Sequence, residues 1–336
     1  MQEHGRRLAG AGRRRWLWAA LGGAAAALAP GAAAGHGAGA PEPTFPGVLG
    51  YWEFDPFFIL PVMVAAWAYL SAVQAVNRAH PQSRFPVRKT ACFLGGLGTL
   101  VLAIMSPLAR YDTELFAAHM VQHLLILMVA APLLLLGSPI TLALRRVSPR
   151  IRKEVLLPLL HSKALRALSW PVLTWGLLAA VLWISHFSPL FNGALENEWL
   201  HRSEHALYLS AALLFWWPAL NADPSPWRMN HPIRLLYLFM QMPQNSFLAV
   251  SIANATNVIF PHYAGATRTW GPSPLTDQEY AGYIMWVGGD LGFLVVLACV
   301  AYGWVKHEEK AAIRADRARA REKAAQARAT SATEPG

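Results

Sequence analysis

Apolar residues are concentrated in seven long stretches of the chain, and most polar residues lie between these stretches. The stretches run roughly over residues 56–76, 90–108, 117–137, 170–187, 203–220, 234–258 and 281–305. Most approach the ~20 residues that an α-helix needs to cross a lipid bilayer. The pattern therefore predicts an all-α, polytopic membrane helix bundle with about seven transmembrane helices.

The composition supports a membrane protein over a soluble one. The chain is 54% hydrophobic and 14% charged, whereas a soluble domain is roughly 25% charged. A soluble protein with one large core is the alternative, but the length of the apolar stretches disfavours it. The net charge of +10 is segregated by loop, so we expect contact with a lipid bilayer and none with nucleic acid.

Basic residues are unevenly distributed between the two sets of loops that seven spans create. One set carries Arg78, Arg84, Arg88, Lys89, Arg145, Arg146, Arg150, Arg152, Lys153, Lys163, Arg166, Arg228 and Arg234, and the other carries Arg110, Arg202 and Arg268. Cytoplasmic loops of membrane proteins are enriched in Lys and Arg. This predicts an external N-terminus and a cytoplasmic C-terminus in a bacterial plasma membrane.

The two ends of the chain differ in character from the middle. Residues 1–34 resemble a signal peptide, because three arginines precede an apolar run over 16–29 and the small residues 32–34 offer a cleavage site. An uncleaved signal anchor is the alternative. We expect residues 35–55 to form a periplasmic N-terminal segment, residues 56–305 the seven-helix membrane domain, and residues 306–336 a basic cytoplasmic tail.

Histidines recur at the predicted outer ends of three successive spans. His119 and His123 begin the third span, His201 and His205 begin the fifth, and His186 ends the fourth. The i,i+4 spacing places each pair on one helix face. At ~1.5 Å per residue the pairs lie within roughly 10 Å of the outer boundary. One such histidine is most often a hydrogen-bonding residue, but five at one level favour metal or cofactor binding.

Copper is the metal that this residue set favours. Imidazole suits copper and thioethers suit Cu(I), whereas the HExxH signature of zinc hydrolases is absent from the sequence. Cys92 and Cys299 form no CxxC motif. Haem held by two histidines is the alternative. The weaker candidate ligands are Met120, Met285, Asp277, Asp290, His262 and His36.

Polar residues also occur deep inside the last two spans. Residues 241–246 (QMPQNS) include three amides that need partners within a bundle, and Pro243 is expected to kink the helix. Asp290 lies near mid-membrane, where an acid indicates a function. The preceding pair Gly288 and Gly289 would let a neighbouring helix approach closely.

Several of these motifs together resemble one family. They are residues 119–125 (HMVQHLL), 131–139 (APLLLLGSP), 186–190 (HFSPL), 201–205 (HRSEH), 276–278 (TDQ) and 282–286 (GYIMW). The chain is similar over roughly residues 50–305 to the multi-span CtaG family of cytochrome c oxidase assembly factors. The resemblance implies a role in maturation of a haem–copper oxidase, helping to form the CuB centre of its catalytic subunit.

The combined expectation is a non-catalytic assembly factor that holds copper transiently and releases it by ligand exchange. Its expected partners are the catalytic subunit of cytochrome c oxidase and periplasmic copper chaperones. Three alternatives remain at this point. They are a copper transporter with Asp290 and residues 241–245 along its path, a haem-binding redox protein, and a scaffold whose histidines only form hydrogen bonds.

Overall fold

The computed structural model of the protein describes residues 40–265 and 268–333, which form helices and no strands. The main helices are α1 (Pro56–Ala79), α2 (Val87–Tyr111), α3 (Phe116–Arg146), α4 (Pro171–His186), α5 (Leu190–Glu196), α6 (Glu198–Leu220), α7 (His231–Ala253) and α8 (Pro274–Lys323). Each of the seven predicted spans corresponds to one of these helices. The all-α prediction is therefore confirmed for the described part of the chain.

Some of the main helices contain irregular turns, and shorter helical segments lie between them. π-Helical turns occupy Leu125–Ala130 in α3 and Ile284–Gly288 in α8, and helical conformation continues beyond α8 to Thr333. The shorter segments are Gly47–Gly50, Pro149–Ile151, Arg152–Leu156, Leu157–Leu160, Lys163–Leu168 and Pro261–Ala264. Residues 1–34, the predicted signal peptide, lie outside the described residues.

Hydropathy separates the main helices into two groups. Among the described residues, α1, α2, α3 and α8 are long and apolar enough to cross a membrane. The pair α4 and α5, bent by 68°, makes a fifth candidate when counted as one span. The helices α6 and α7 are each 23 residues long, but they fall outside this set because they carry polar side chains. Seven crossings and the direction of the termini therefore stay predictions.

Helix α3 lies at the centre of the bundle, where it packs against α2, α6 and the start of α8. Its buried residues include Phe116, Ile126 and Ala130, whereas α1 is largely exposed along its length. Helix α1 begins after Asp55, whose side chain accepts hydrogen bonds from the backbone N–H groups of Phe57 and Phe58. Pro56 occupies the first helical position, where proline is common. The central position of α3 places its histidines inside the bundle.

Glycines allow α8 to lie close against α7. A Cβ atom on Gly282 would lie 2.7 Å from Ala253 Cβ and 2.8 Å from the Ala249 carbonyl oxygen. A Cβ atom on Gly289 would lie 2.7 Å from the amide nitrogen of Asn245. Close approach at the predicted Gly288–Gly289 pair is therefore confirmed, and α7 continues through Pro243 to Ala253.

Two boundaries differ from the sequence expectation, and both differences shape the site. Helix α5 occupies residues that we expected to be a loop, and its Phe191 is buried with its ring centroid 5.2 Å from that of His119. Helix α8 begins at Pro274, before the expected residue 281. Its first turns contain Asp277 and Gln278, whose polarity lowered the local hydropathy although both side chains are buried.

Candidate metal centre

The two histidine pairs face each other across the contact between α3 and α6. The ring centroids of His119 and His123 are 4.2 Å apart, and those of His201 and His205 are 4.4 Å apart. Across the helix contact, His119 lies 5.5 Å from His201 and His123 lies 5.9 Å from His205. The four rings therefore form one continuous cluster inside the bundle.

Glu204 brings a carboxylate to the first pair. Its Oε2 atom lies 3.8 Å from His119 Nε2 and 4.0 Å from His123 Nε2. Ligands about 2.0–2.2 Å from one shared first-row metal ion are separated by roughly this distance. The candidate ligand atoms of the three residues all lie within 4.8 Å of one another. The arrangement suits a metal ion held by two nitrogens and one oxygen.

The same atoms lack other partners. Within the described part of the chain, both ring nitrogens of His119, both of His123, and Glu204 Oε2 are buried and make no hydrogen bond. Buried polar atoms are nearly always hydrogen-bonded, and each one left unsatisfied costs about 1–3 kcal/mol. A bound cation would supply the missing partner for three of these atoms at once, so the residues fit a metal ion.

A second carboxylate lies on the other side of His119. Asp112 Oδ2 is 3.7 Å from His201 Nε2, and ligand atoms of Asp112, His119 and His201 lie within 4.8 Å of one another. Burial raises the pKa of the Asp112 carboxyl well above its usual range, and a hydrogen bond with Gln122 only partly opposes this shift. A cation bound here would oppose this shift, because a nearby positive charge favours the ionised carboxylate.

His205 is held by a protein hydrogen bond. Gln122 donates to the Ala103 carbonyl oxygen at 2.8 Å, and its Oε1 atom accepts from His205 Nε2 at 3.2 Å. The Nε2 atom of His205 is thus occupied, unlike that of His119 or His123. His205 is therefore a positioning residue within the cluster, held by Gln122.

His186 reaches the bundle interior but belongs to neither carboxylate group. Its Nδ1 atom donates to the Leu182 carbonyl oxygen at 2.7 Å, and Nε2 is buried without a hydrogen-bond partner among the described residues. Tyr208 lies beside both His123, with ring centroids 4.2 Å apart, and His186, whose Nδ1 atom is 3.4 Å from the Tyr208 hydroxyl oxygen. The five predicted histidines therefore share one region without converging on a single point.

A polar cleft leads from the surface to this cluster. It has a volume of about 350 Å³ and is lined by charged residues of the segments before α1 and at the start of α6, together with Asp112, His201 and His205. Among the clustered histidines, the cleft therefore borders His201 and His205.

The sequence profile of the family described as cytochrome c oxidase caa3 assembly factor (Caa3_CtaG) matches residues 67–307. These residues include all five predicted histidines, Glu204 and Asp112. The chain belongs to this family. The CtaG resemblance predicted from the motifs is thereby confirmed.

Three mycobacterial proteins, each described as uncharacterized, are similar to this family member. Those of Mycobacterium bovis and Mycobacterium tuberculosis are each 30% identical over 282 residues, which is 82% of this chain and 42% of the relative. That of Mycobacterium leprae is 29% identical over 276 residues, or 79% and 41% of the two chains. The chain thus spans less than half the length of these relatives. No solved structure matches it.

The weaker candidate ligands of this family member separate into two groups. Met120 and Met285 are buried and line one cavity with His123 and His186. His262 donates from Nε2 to the Thr113 carbonyl oxygen at 2.9 Å and belongs to neither carboxylate group. His36 lies outside the described residues.

The two candidate acids of α8 have other partners. Asp290 accepts a hydrogen bond from Ser246 at 2.7 Å. Asp277 accepts from the backbone N–H groups of Phe116 at 2.8 Å and Ala117 at 3.2 Å. Asp277 therefore caps the start of α3 from another helix and fixes the turn that carries His119.

Replacing Asp277 with alanine is expected to destabilise the protein by about 1.5–3 kcal/mol, the usual contribution of a hydrogen bond to a charged group. The measurement is the thermal unfolding midpoint of the purified protein in detergent. Glu279→Ala removes the same charge two residues away and serves as the control. Equal midpoints for the two variants would contradict the capping role.

Glu204 and Asp112 are the two site residues that the histidine pattern left out. Glu204 lies three residues after His201 in HRSEH, so helical periodicity alone places it near the pair. An acid within an apolar helix is itself a functional signal. Asp112 lies in the turn between α2 and α3, and its approach to His201 is visible only in the folded chain.

Proposed function

We propose that this protein helps to assemble a caa3-type cytochrome c oxidase by holding a copper ion at His119, His123 and Glu204 and passing it to the CuB site of the catalytic subunit. The observation that carries the proposal is the set of buried, unpartnered nitrogen and oxygen atoms spaced as ligands of one ion. Membership of an oxidase assembly family supports the oxidase as the protein that receives the ion.

The donor set supports delivery better than permanent storage. Imidazole and carboxylate ligands accept copper, and no thiolate is present among the three residues to hold it tightly. The cleft beside His201 and His205 gives the ion an exit. We place this end of the bundle at the periplasmic face, in agreement with the loop charges, where a copper chaperone would supply the ion. The exchange of ligands requires no catalysis by the protein.

The ring geometry favours copper over haem. His119 and His123 lie on one helix, and their Nε2 atoms approach the same carboxylate oxygen, whereas two axial haem histidines bind iron from opposite faces of the porphyrin. Purified protein is therefore expected to show no Soret band.

Copper transport is the second candidate function, because Gln241 and Asp290 carry buried atoms without hydrogen-bond partners in the described structure. The two functions differ in what deletion of the gene does to cells. We expect a deletion strain to lose caa3-type oxidase activity while total cellular copper stays unchanged. A copper-free respiratory dehydrogenase in the same membranes is the control. Lowered cellular copper, with oxidase activity restored by added copper alone, would favour transport instead.

A further inference from the structure

A small cavity lies next to His123. It has a volume of about 20 Å³, which is room for one species of the size of a water molecule. Helices α3, α4, α7 and α8 contribute its polar and sulfur-containing lining residues, which include Met120, Met128, Met285, His123, His186 and Gln241. Three of the nine methionines in the chain thus line one cavity.

Side chains in this lining have lone pairs available for a ligand. His186 donates from Nδ1 to the Leu182 carbonyl oxygen at 2.7 Å, which fixes the tautomer and leaves Nε2 as a free lone pair. A metal-binding histidine is usually oriented by such a bond from its other nitrogen. In the described residues, His186 Nε2 and both amide atoms of Gln241 are buried without hydrogen-bond partners. Buried polar atoms nearly always have a partner, so these atoms indicate that the cavity holds a bound species.

The lining differs chemically from the site at Glu204. No carboxylate lines the cavity, and its thioether and imidazole groups are the lining ligands best suited to a soft metal ion. Thioethers select Cu(I), whereas carboxylates suit harder ions. The aromatic side chains of Tyr208, Trp216 and Phe293 form part of the cavity wall.

The backbone is irregular at this cavity. The π-helical turn Leu125–Ala130 contains Met128, and the π-helical turn Ile284–Gly288 contains Met285. Such turns occur frequently at functional sites. Each changes the register of its helix next to a cavity-lining methionine.

We propose that this cavity is a second, Cu(I)-selective site formed by thioethers of Met120 and Met285 with His186, and that His123 exchanges the ion between it and Glu204. The inference rests on the proposed function in taking copper as the cargo. The ion moves as Cu(I) throughout, so nitrogen and oxygen ligands are replaced by sulfur and nitrogen without electron transfer.

X-ray absorption spectroscopy of the full-length protein loaded anaerobically with Cu(I) tests this site. We expect sulfur neighbours of copper in the wild type, and loss of that sulfur contribution in the variant with Met120→Leu and Met285→Leu. These substitutions conserve side-chain volume. The control carries Met63→Leu and Met240→Leu, at exposed positions of α1 and α7, and is expected to retain the signal.

The His119→Ala variant separates the two sites, because it removes a ligand of the Glu204 site and leaves the cavity intact. We expect its bound Cu(I) to keep the sulfur neighbours. Cu(I) bound by nitrogen and oxygen alone in the wild type, or a sulfur signal that persists in the Met120 and Met285 variant, would overturn the second site. Neither result would affect the proposed function, which fails instead if oxidase maturation is normal in the deletion strain.

Discussion

Replacing His119 and His123 together with alanine is expected to lower copper affinity by more than the ~10–100-fold that losing one hydrogen-bond partner of a metal ligand costs. The two rings supply both nitrogens that lie within 4.0 Å of Glu204 Oε2, so the variant retains only the carboxylate of that group. The measurement is copper content and affinity of the purified protein after loading and desalting.

The matched control replaces two other histidines, His80 and His161, with alanine. Both are exposed and lie outside the cluster, so the control removes the same number of imidazoles without altering the site. Copper binding that falls equally in both double variants would indicate nonspecific surface binding. Unchanged binding in the His119 and His123 variant would show that the site is wrong.

Replacing Glu204 with glutamine is expected to have opposite effects on the metal-free and the copper-loaded protein. A buried carboxylate with an unpartnered oxygen is costly, so the neutral amide should leave the metal-free protein equally stable or more stable. We expect copper at a hundred times its dissociation constant to stabilise the wild type by about 2.7 kcal/mol. The variant should lose most of that gain.

Thermal unfolding with and without copper measures both effects in one experiment. Glu196→Gln, at an exposed position in α5, is the control and should behave as the wild type does. If the Glu204→Gln protein is less stable than the wild type without copper, yet copper stabilises both proteins equally, then Glu204 has a structural role instead.

The sequence predicted that each histidine pair shares one helix face, because residues spaced i,i+4 are neighbours on a helix surface. The spacing of His119 with His123 and of His201 with His205 fixes two helix faces, and α3 and α6 bring those faces together. The position of Glu204 near the pair could have been predicted from the same periodicity. That of Asp112 could not, because its approach to His201 depends on how the turn after α2 folds over α6.

The separate position of His186 illustrates what an apolar pattern leaves open. Helix α4 is apolar on all sides, so its sequence does not reveal which side faces the bundle. The level of His186 along the helix could be predicted, but its rotation could not. In α6 and α7 the polar residues weaken the apolar pattern instead. Side chains such as Glu204 and Gln241 are buried inside the bundle, but they lower the hydropathy by which a span is recognised.

The most direct test is the copper-to-haem ratio of caa3-type oxidase purified from three strains. These are the wild type, a deletion strain carrying the wild-type gene, and a deletion strain carrying His119→Ala with His123→Ala. We predict that oxidase from the third strain contains normal haem and lacks copper at CuB, while the first two are fully loaded. Fully loaded CuB in the third strain, with the variant present in the membrane, would contradict copper delivery by this site.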